Sequence, residues 1–381
     1  MASFQPPFVT RSGTLLGLLA LAGCGARTSI LINDVLVHDA GRDAFIDGVA
    51  PPLDAAGDVV GRREGGERDA GIDASDTGAA GLGPILYVPA SQVTGEWEGE
   101  GFARLPTEGD AAAFVSPSAR DQTAVASDGS EVVLFGGLLA TNEYASDTWL
   151  FARGVWTMAP SGAATPPPRG LHSMARLGNT VLLFGGESGA ATSSVLGDTW
   201  IWSGGSWTEA NPAMSPPRRS LAAMAPLGGG VVLFGGSDAN GNSLSDTWFW
   251  DGTTWTPIDT PVGPPAQFGI TMMAPLGDVV VLFEPNVAAN DMATWTFDGS
   301  SWTAHGDSPG GLAPSALVAF GATTFGSSIL IYGGYSAISG QPEQGSFSWD
   351  GKEWTFFSPQ TLQPSTVTGA TPSLMATLDP P

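Results

Sequence analysis

The chain has one cysteine, one lysine, three histidines and four tyrosines in 381 residues. With Cys24 as the only thiol, no intramolecular disulfide can form. Basic residues number 14 against 37 acidic ones, a net charge of -23. Such a field repels phosphate backbones and anionic membrane surfaces, which excludes nucleic acid as a partner. Charged residues make up only 13% of the chain, too few for long amphipathic helices with solvated faces. The uninterrupted apolar run Leu15–Leu21 is too short to span a bilayer. What the sequence has in quantity is Gly (53), Pro (30) and Trp (13), a composition suited to short strands joined by tight turns. The length alone suggests two or three domains, although all-β rings accommodate this much chain in one.

Arg11 precedes the run Leu15-Leu16-Gly17-Leu18-Leu19-Ala20-Leu21, the order of a secretory signal peptide. The run ends in Leu21-Ala22-Gly23-Cys24, which resembles the lipobox of bacterial lipoproteins. That resemblance implies a signal peptide over residues 1–23, removed on export, and lipid attachment at Cys24, through which the protein would be anchored in a membrane. Gly25 follows instead of an Asp, which by the same resemblance implies the outer membrane, facing the periplasm or the cell surface. Residues 24–82 then read as a lipid-anchored, acidic, disordered tether. Segments such as Gly57–Gly71 carry Asp, Gly, Ala and Arg with almost nothing to bury.

From residue 83 to 381 the sequence repeats. Val132-Val133-Leu134-Phe135-Gly136-Gly137 recurs as Val181–Gly186, Val231–Gly236, Val279–Phe283 and Ile329–Gly334, the aromatic stepping by 49, 50, 49 and 49 residues. After each comes an aromatic pair five apart: Phe151/Trp156, Trp202/Trp207, Trp250/Trp255, Phe297/Trp302 and Trp349/Trp354. A sixth copy is split. Ile85-Leu86-Tyr87-Val88 and Trp97/Phe102 lie near the N-terminus, and Pro372–Leu378, near the other end, resembles the opening strand of the other copies. Each copy reads as a four-stranded antiparallel sheet: a first strand, a fully apolar second strand buried on both faces, and a hairpin of third and fourth strands. Turns such as Asp251-Gly252 and Asp298-Gly299 predict the twisted two-residue connection for that hairpin. All thirteen tryptophans fall in the repeats, as expected of wedges between neighbouring sheets.

An apolar run, Gly-Gly, Asp-Thr-Trp and an aromatic five residues before Trp, at about fifty residues per copy, together resemble the kelch repeat. The resemblance implies an all-β fold, a six-bladed kelch-type β-propeller with four-stranded antiparallel blades. N- and C-terminal strands share the last blade and so close the ring without free sheet edges. The fourth copy departs from the pattern, with Glu284-Pro285 for Gly-Gly and Ala293 for the Asp found at Asp147, Asp198 and Asp246.

Chemistry is sparse. Galactose oxidase, a kelch-type relative by fold, needs a Cys-modified Tyr and histidine ligands for copper, and this chain offers only Cys24, His38, His172 and His305. No cofactor and no metal are expected. No Gly-x-Ser-x-Gly elbow occurs, nor a phosphate loop followed by Lys. Ser237–Ser243 has the Asp-x-Asn-x-Asn look of a calcium loop but lacks the terminal bidentate Glu, and reads as a polar connection. Arg120, Arg169 and Arg219 stand fifteen residues before the second-strand aromatic in three successive copies, where the others have Phe268, Leu317 and Ala370. Two readings are open for them: candidate ligand-binding residues at the mouth of the ring, suited to carboxylates, or ties for the carbonyls of their own Pro-Pro-Arg loops. The functional expectation is a non-catalytic, monomeric envelope lipoprotein that binds a protein, peptide or glycan. The alternative is a sialidase-like hydrolase holding a carboxylate with the arginine trio, against which stands the absence of its Ser-x-Asp-x-Gly-x-x-Trp box.

Overall fold

A computed structural model describes residues 116–357 apart from 161, 163, 190–193, 267–270, 307–312, 319, 342 and 344, together with the backbone of strands at Ile85–Val88, Val93–Trp97, Phe102–Arg104 and Leu374–Ala376. The signal peptide, Cys24, His38 and the tether lie outside the described residues, as do Phe268 and Ala370.

Every element among the described residues is a β-strand. Six four-stranded antiparallel sheets account for most of them. Blade 1 is Ala124–Ser127, Val132–Phe135, Thr148–Ala152 and Val155–Met158. Blade 2 is Ser173–Leu177, Thr180–Phe184, Thr199–Ser203 and Ser206–Ala210. Blade 3 is Ala223–Leu227, Gly230–Ser237, Ser243–Trp250 and Trp255–Ile258. Blade 4 is Met272–Leu276, Val279–Asn286, Asp291–Phe297 and Trp302–His305. Blade 5 is Gly321–Phe325, Ser328–Tyr332, Ser346–Trp349 and Trp354–Phe357.

Blade 6 takes strands from both ends of the chain. Leu374–Ala376 pairs antiparallel with Ile85–Val88, Leu86 facing Met375, and Val93–Trp97 and Phe102–Arg104 complete the sheet. The first strands of successive blades touch in a closed cycle, in which Leu374–Ala376 lies against both Gly321–Phe325 and Ala124–Ser127. This is the expected clasp.

The second strands are the core. Val133, Leu134, Phe135, Val181, Leu182, Leu183, Val231, Val232, Leu233, Val280, Val281 and Leu282 are all sealed from solvent. Their aromatics are sites for the wedges. Trp207 of blade 2 packs edge-on to Phe135 of blade 1 at 5.3 Å, Trp255 to Phe184 at 5.4 Å and Trp302 to Phe234 at 5.2 Å. Each wedge also donates its indole N–H to a threonine of the preceding blade: Trp207 to Thr148 at 2.9 Å, Trp255 to Thr199 at 3.0 Å, Trp302 to Thr247 at 2.9 Å. A buried indole needs such a partner. Gly136 is indispensable for a related reason: it has a positive φ of 63°, and a Cβ there would sit 2.6 Å from the Arg169 carbonyl oxygen of the next blade.

The Asp-Gly hairpins differ from expectation. Trp250 pairs with Trp255 and Phe297 with Trp302, so four residues, not two, connect these strands. The reason is side-chain capping: the Asp251 carboxylate accepts the N–H groups of Thr253 and Thr254, both at 2.8 Å, and Asp298 does the same for Ser300 and Ser301. Two-residue turns appear instead at Arg153-Gly154 and Gly204-Gly205, whose residues all have positive φ.

Replacing Trp255 with Ala removes a ring that is 1% exposed and joins two blades; the expected cost is about 3–5 kcal/mol, read from the urea midpoint. Trp255→Phe, which keeps most of the packing and drops the bond to Thr199, is expected to cost about 1 kcal/mol or more.

Candidate functional site

The three arginines occupy equivalent places at the entrance to the first strands of blades 1 to 3. Their side chains are fully buried. Arg169 donates from Nη1 to the Gly185 carbonyl at 2.9 Å and to Asp198 Oδ1 at 2.8 Å, from Nη2 to Asp198 Oδ2 at 2.6 Å, and from Nε to the Pro167 carbonyl at 3.1 Å. Arg120 repeats this with Gly136, Asp147 and Ser118, and Arg219 with Gly235, Asp246 and Pro217. A tryptophan closes each set: Trp149, Trp200 and Trp248 donate their indole N–H to the same carboxylates at 2.6–2.7 Å.

This arrangement corrects the reading of Arg120, Arg169 and Arg219 as ligand-binding residues. Each guanidinium fork is spent on a carboxylate, the carbonyl of the first Gly of the pair and the approach loop, so none is turned to a ligand. The sialidase-like use of the trio fails on the same geometry. The partner carboxylate was the missed residue in each case, and the sequence carried a signal for it. Arg and Asp occur together in copies 1 to 3 and are lost together elsewhere, Phe268 with Ala293 and Leu317 with Gly345.

Burial by itself would raise the carboxyl pKa of Asp147, Asp198 and Asp246, yet the hydrogen bonds and charge of the arginine, with the tryptophan bond, hold all three below the ordinary carboxylate value. Neither described histidine belongs to a catalytic or metal set. His172 is buried edge-on to Phe135 at 5.7 Å, and burial, then the charge of Arg169, lowers its pKa to about 3, so it is neutral. His305 bonds Thr296 at 2.9 Å and packs on Trp349. No three His, Cys, Asp or Glu side chains among the described residues converge as metal ligands would. The calcium-like loop satisfies itself: Asp238 accepts the backbone N–H groups of Asn240 and Asn242 at 2.8 Å.

What does reach solvent on this side of the ring is a band running from blade 1 to blade 3. Gln122, Leu171 and Leu221 follow the arginines by two positions, and all three hold positive φ (57°, 55° and 60°), a conformation disfavoured for non-glycine residues. They are tied blade to blade, the Leu221 N–H to the Leu171 carbonyl at 2.9 Å and the Leu171 N–H to the Gln122 carbonyl at 2.8 Å. Half-buried polar side chains decorate this band. The Tyr144 hydroxyl lies 3.1 Å from Gln122 Oε1, and the Ser220 hydroxyl donates to Glu187 at 2.9 Å. Burial and then the Glu187 charge push the Tyr144 phenol up to about 12. Asp121 belongs to the same band, close enough to Tyr335 of blade 5 for its charge to add to burial in raising that phenol.

Two outcomes follow from the buried forks. Arg169→Ala strands a partly buried carboxylate and is expected to destabilise the fold by about 3 kcal/mol, the low end for a broken buried pair, because Asp198 keeps 21% of its side chain open. The double variant Arg169→Ala/Asp198→Ala should lose less than the sum of the two singles in a double-mutant cycle. Because the three carboxyl pKa values are lowered on folding, their stabilising contribution is complete above the ordinary value near 3.8 and fades as pH falls below it. The acid limb of the thermal stability profile should therefore flatten in the double variant.

A search of curated proteins returns no match. Among protein-family models, the KLHDC2/KLHL20/DRC7 Kelch-repeats domain matches residues 94–284, half of the chain. The match spans the strands of blades 1 to 3, the three arginine clamps and the first strand of blade 4, ending within the second, and with six four-stranded sheets in a closed cycle it places the chain in the family of kelch-repeat β-propellers.

Proposed function

We propose that this chain is a non-catalytic, monomeric binding module, exported and lipid-anchored through Cys24 in the bacterial envelope, with its ring as the receptor. Kelch propellers serve generally as interaction scaffolds, and in such folds function resides in loops held by a rigid frame. The export signal and the anchor rest on Arg11, the apolar run Leu15–Leu21 and Leu21-Ala22-Gly23-Cys24.

The observation that carries the binding reading is the hydrogen-bonded band of Gln122, Leu171 and Leu221. Backbone held in a disfavoured conformation by its surroundings is typical of ligand-contacting positions, and here it fixes the side chains around Tyr144 in place. With the arginines turned inward, the exposed chemistry of that band is carboxylate, phenol and amide: Asp121, Glu187, Tyr144 and Gln122. It suits a cationic or neutral polar segment of a protein, peptide or glycan, and disfavours the acidic ligand that an open arginine arc would have taken.

Capture of a partner from envelope extract on the immobilised ring tests this. Tyr144→Ala and Glu187→Gln, both at half-buried positions, should keep the melting temperature and each lose at least about tenfold in partner retention, the scale of a charged or aromatic anchor. Full retention by the double variant would contradict the assignment of this face. Turnover of a fluorogenic sialoside would contradict the non-catalytic reading.

A further inference from the structure

The seams joining blades 1 to 5 follow one plan, except the last. At the first three, a wedge indole bonds a threonine of the preceding blade, as in Trp207 to Thr148, Trp255 to Thr199 and Trp302 to Thr247. At the seam between blades 4 and 5, Thr294 holds the same register position opposite Phe283 and Trp354 the same wedge position. Yet the Thr294 hydroxyl lies 3.4 Å from the Met292 carbonyl. Thr294 and Trp354 instead line a cavity of about 290 Å³ together with Asp291, His305, Trp349 and Lys352.

The main chain is altered at the same place. Gly137 and Gly186 donate their N–H groups to the Arg169 and Arg219 carbonyls of the next blade, at 2.8 and 2.9 Å. Pro285, at the corresponding position, has no N–H to give. In return, the Arg169 and Arg219 N–H groups reach the Ala145 and Leu196 carbonyls, whereas the N–H of Leu317 meets the sulfur of Met292 at 3.2 Å, a weak acceptor. No arginine clamp braces blade 5, where Leu317 and Gly345 stand in the two slots, and blade 4 has Ala293 for the clamp carboxylate. Among the described residues, this seam is packed by Phe283, Val281 and Ala274 with Ile329, Ile331 and Trp354, and the Thr324 hydroxyl donates to the Pro275 carbonyl.

Into this seam's edge the sequence puts Glu284, where blades 1 to 3 and 5 have glycine. It is 0% exposed, and neither carboxyl oxygen has a hydrogen-bond partner among the described residues. An unpartnered buried carboxyl persists only as the neutral acid. Of the strands packed against Val279–Asn286, Asp291–Phe297 brings one titratable group, Asp291; Met272–Leu276, Ala223–Leu227 and Leu317–Val318 bring none. No cation on these strands is available to stabilise the ionised form.

We propose that the ring opens at the seam between blades 4 and 5, and that the charge state of Glu284 sets how readily it does so. Burial raises the Glu284 pKa from 4.5 to about 8. The folded state therefore holds a proton the open state releases. The seam is tightest below the unfolded value and loosens as pH rises towards 8. The clamp carboxylates respond in the opposite sense and at lower pH, so the two effects separate.

Hydrogen exchange on the full chain at about pH 6 and about pH 9, with intrinsic rates divided out, reads the opening directly. Peptides covering Val279–Asn286 and Ser328–Tyr332 should lose protection at least about tenfold more than those covering Thr180–Phe184 as pH rises. Glu284→Gln should abolish that difference, and Glu284→Met should do the same if the amide variant does not fold. Equal protection of all blades at both pH values, or a pH response that survives in the neutral variants, would overturn the proposal.

Discussion

The ring depends on one contact made again and again: a tryptophan from the outer strand of one blade set edge-on to the second-strand aromatic of the blade before it, its indole N–H on a threonine of that blade. A four-stranded sheet of this size cannot bury its faces alone. The wedge supplies apolar area on both sides at once, and the hydrogen bond fixes its depth. Because each wedge reaches backwards by one blade, angle and spacing are set locally, and closure requires only that the last sheet accept strands from both chain ends. Leu374–Ala376 beside Ile85–Val88 meets that requirement.

Around this symmetric frame the polar chemistry is unevenly distributed. Blades 1 to 3 each lock a guanidinium fork on an aspartate and a glycine carbonyl, with a tryptophan N–H on the same carboxylate. Buried pairs of this kind add little net stability but penalise any arrangement that separates them. The clamped arc also carries the hydrogen-bonded band with Tyr144 and Glu187 beside it, so the binding face proposed here sits on the blades that the clamps brace. Blades 4 and 5 rely on apolar contact, which is less directional, and carry Glu284, a carboxyl whose pKa burial raises to about 8.

Much of this was legible in the residues. The period of the second strands, the five-residue aromatic spacing and the strand-like tail at Leu374–Ala376 gave blade number, strand order and clasp, because a repeat prints the same packing demand at the same interval. The arginines were less readable: periodicity identified Arg120, Arg169 and Arg219 but not which way they face, since the deciding partner lies across a loop at Asp147, Asp198 and Asp246. The Asp-Gly turns were misjudged because the dipeptide's own preference gave way to carboxylate capping of the next two N–H groups. Glu284 stood out as a break in the Gly-Gly pattern, yet its complete burial depends on tertiary packing that a strand's own sequence does not print. Cys24 and the acidic segment after it bear on anchoring through sequence alone.

The central claim is a closed ring of six sheets whose last blade is completed by the chain's end. Urea unfolding of the full chain against a chain ending before Pro372 measures it most directly. Closure predicts a clear fall in midpoint for the shortened chain, with faster amide exchange in both Ile85–Val88 and Ala124–Ser127, the strands that Leu374–Ala376 touches. An unchanged midpoint and unchanged exchange in those strands would contradict it.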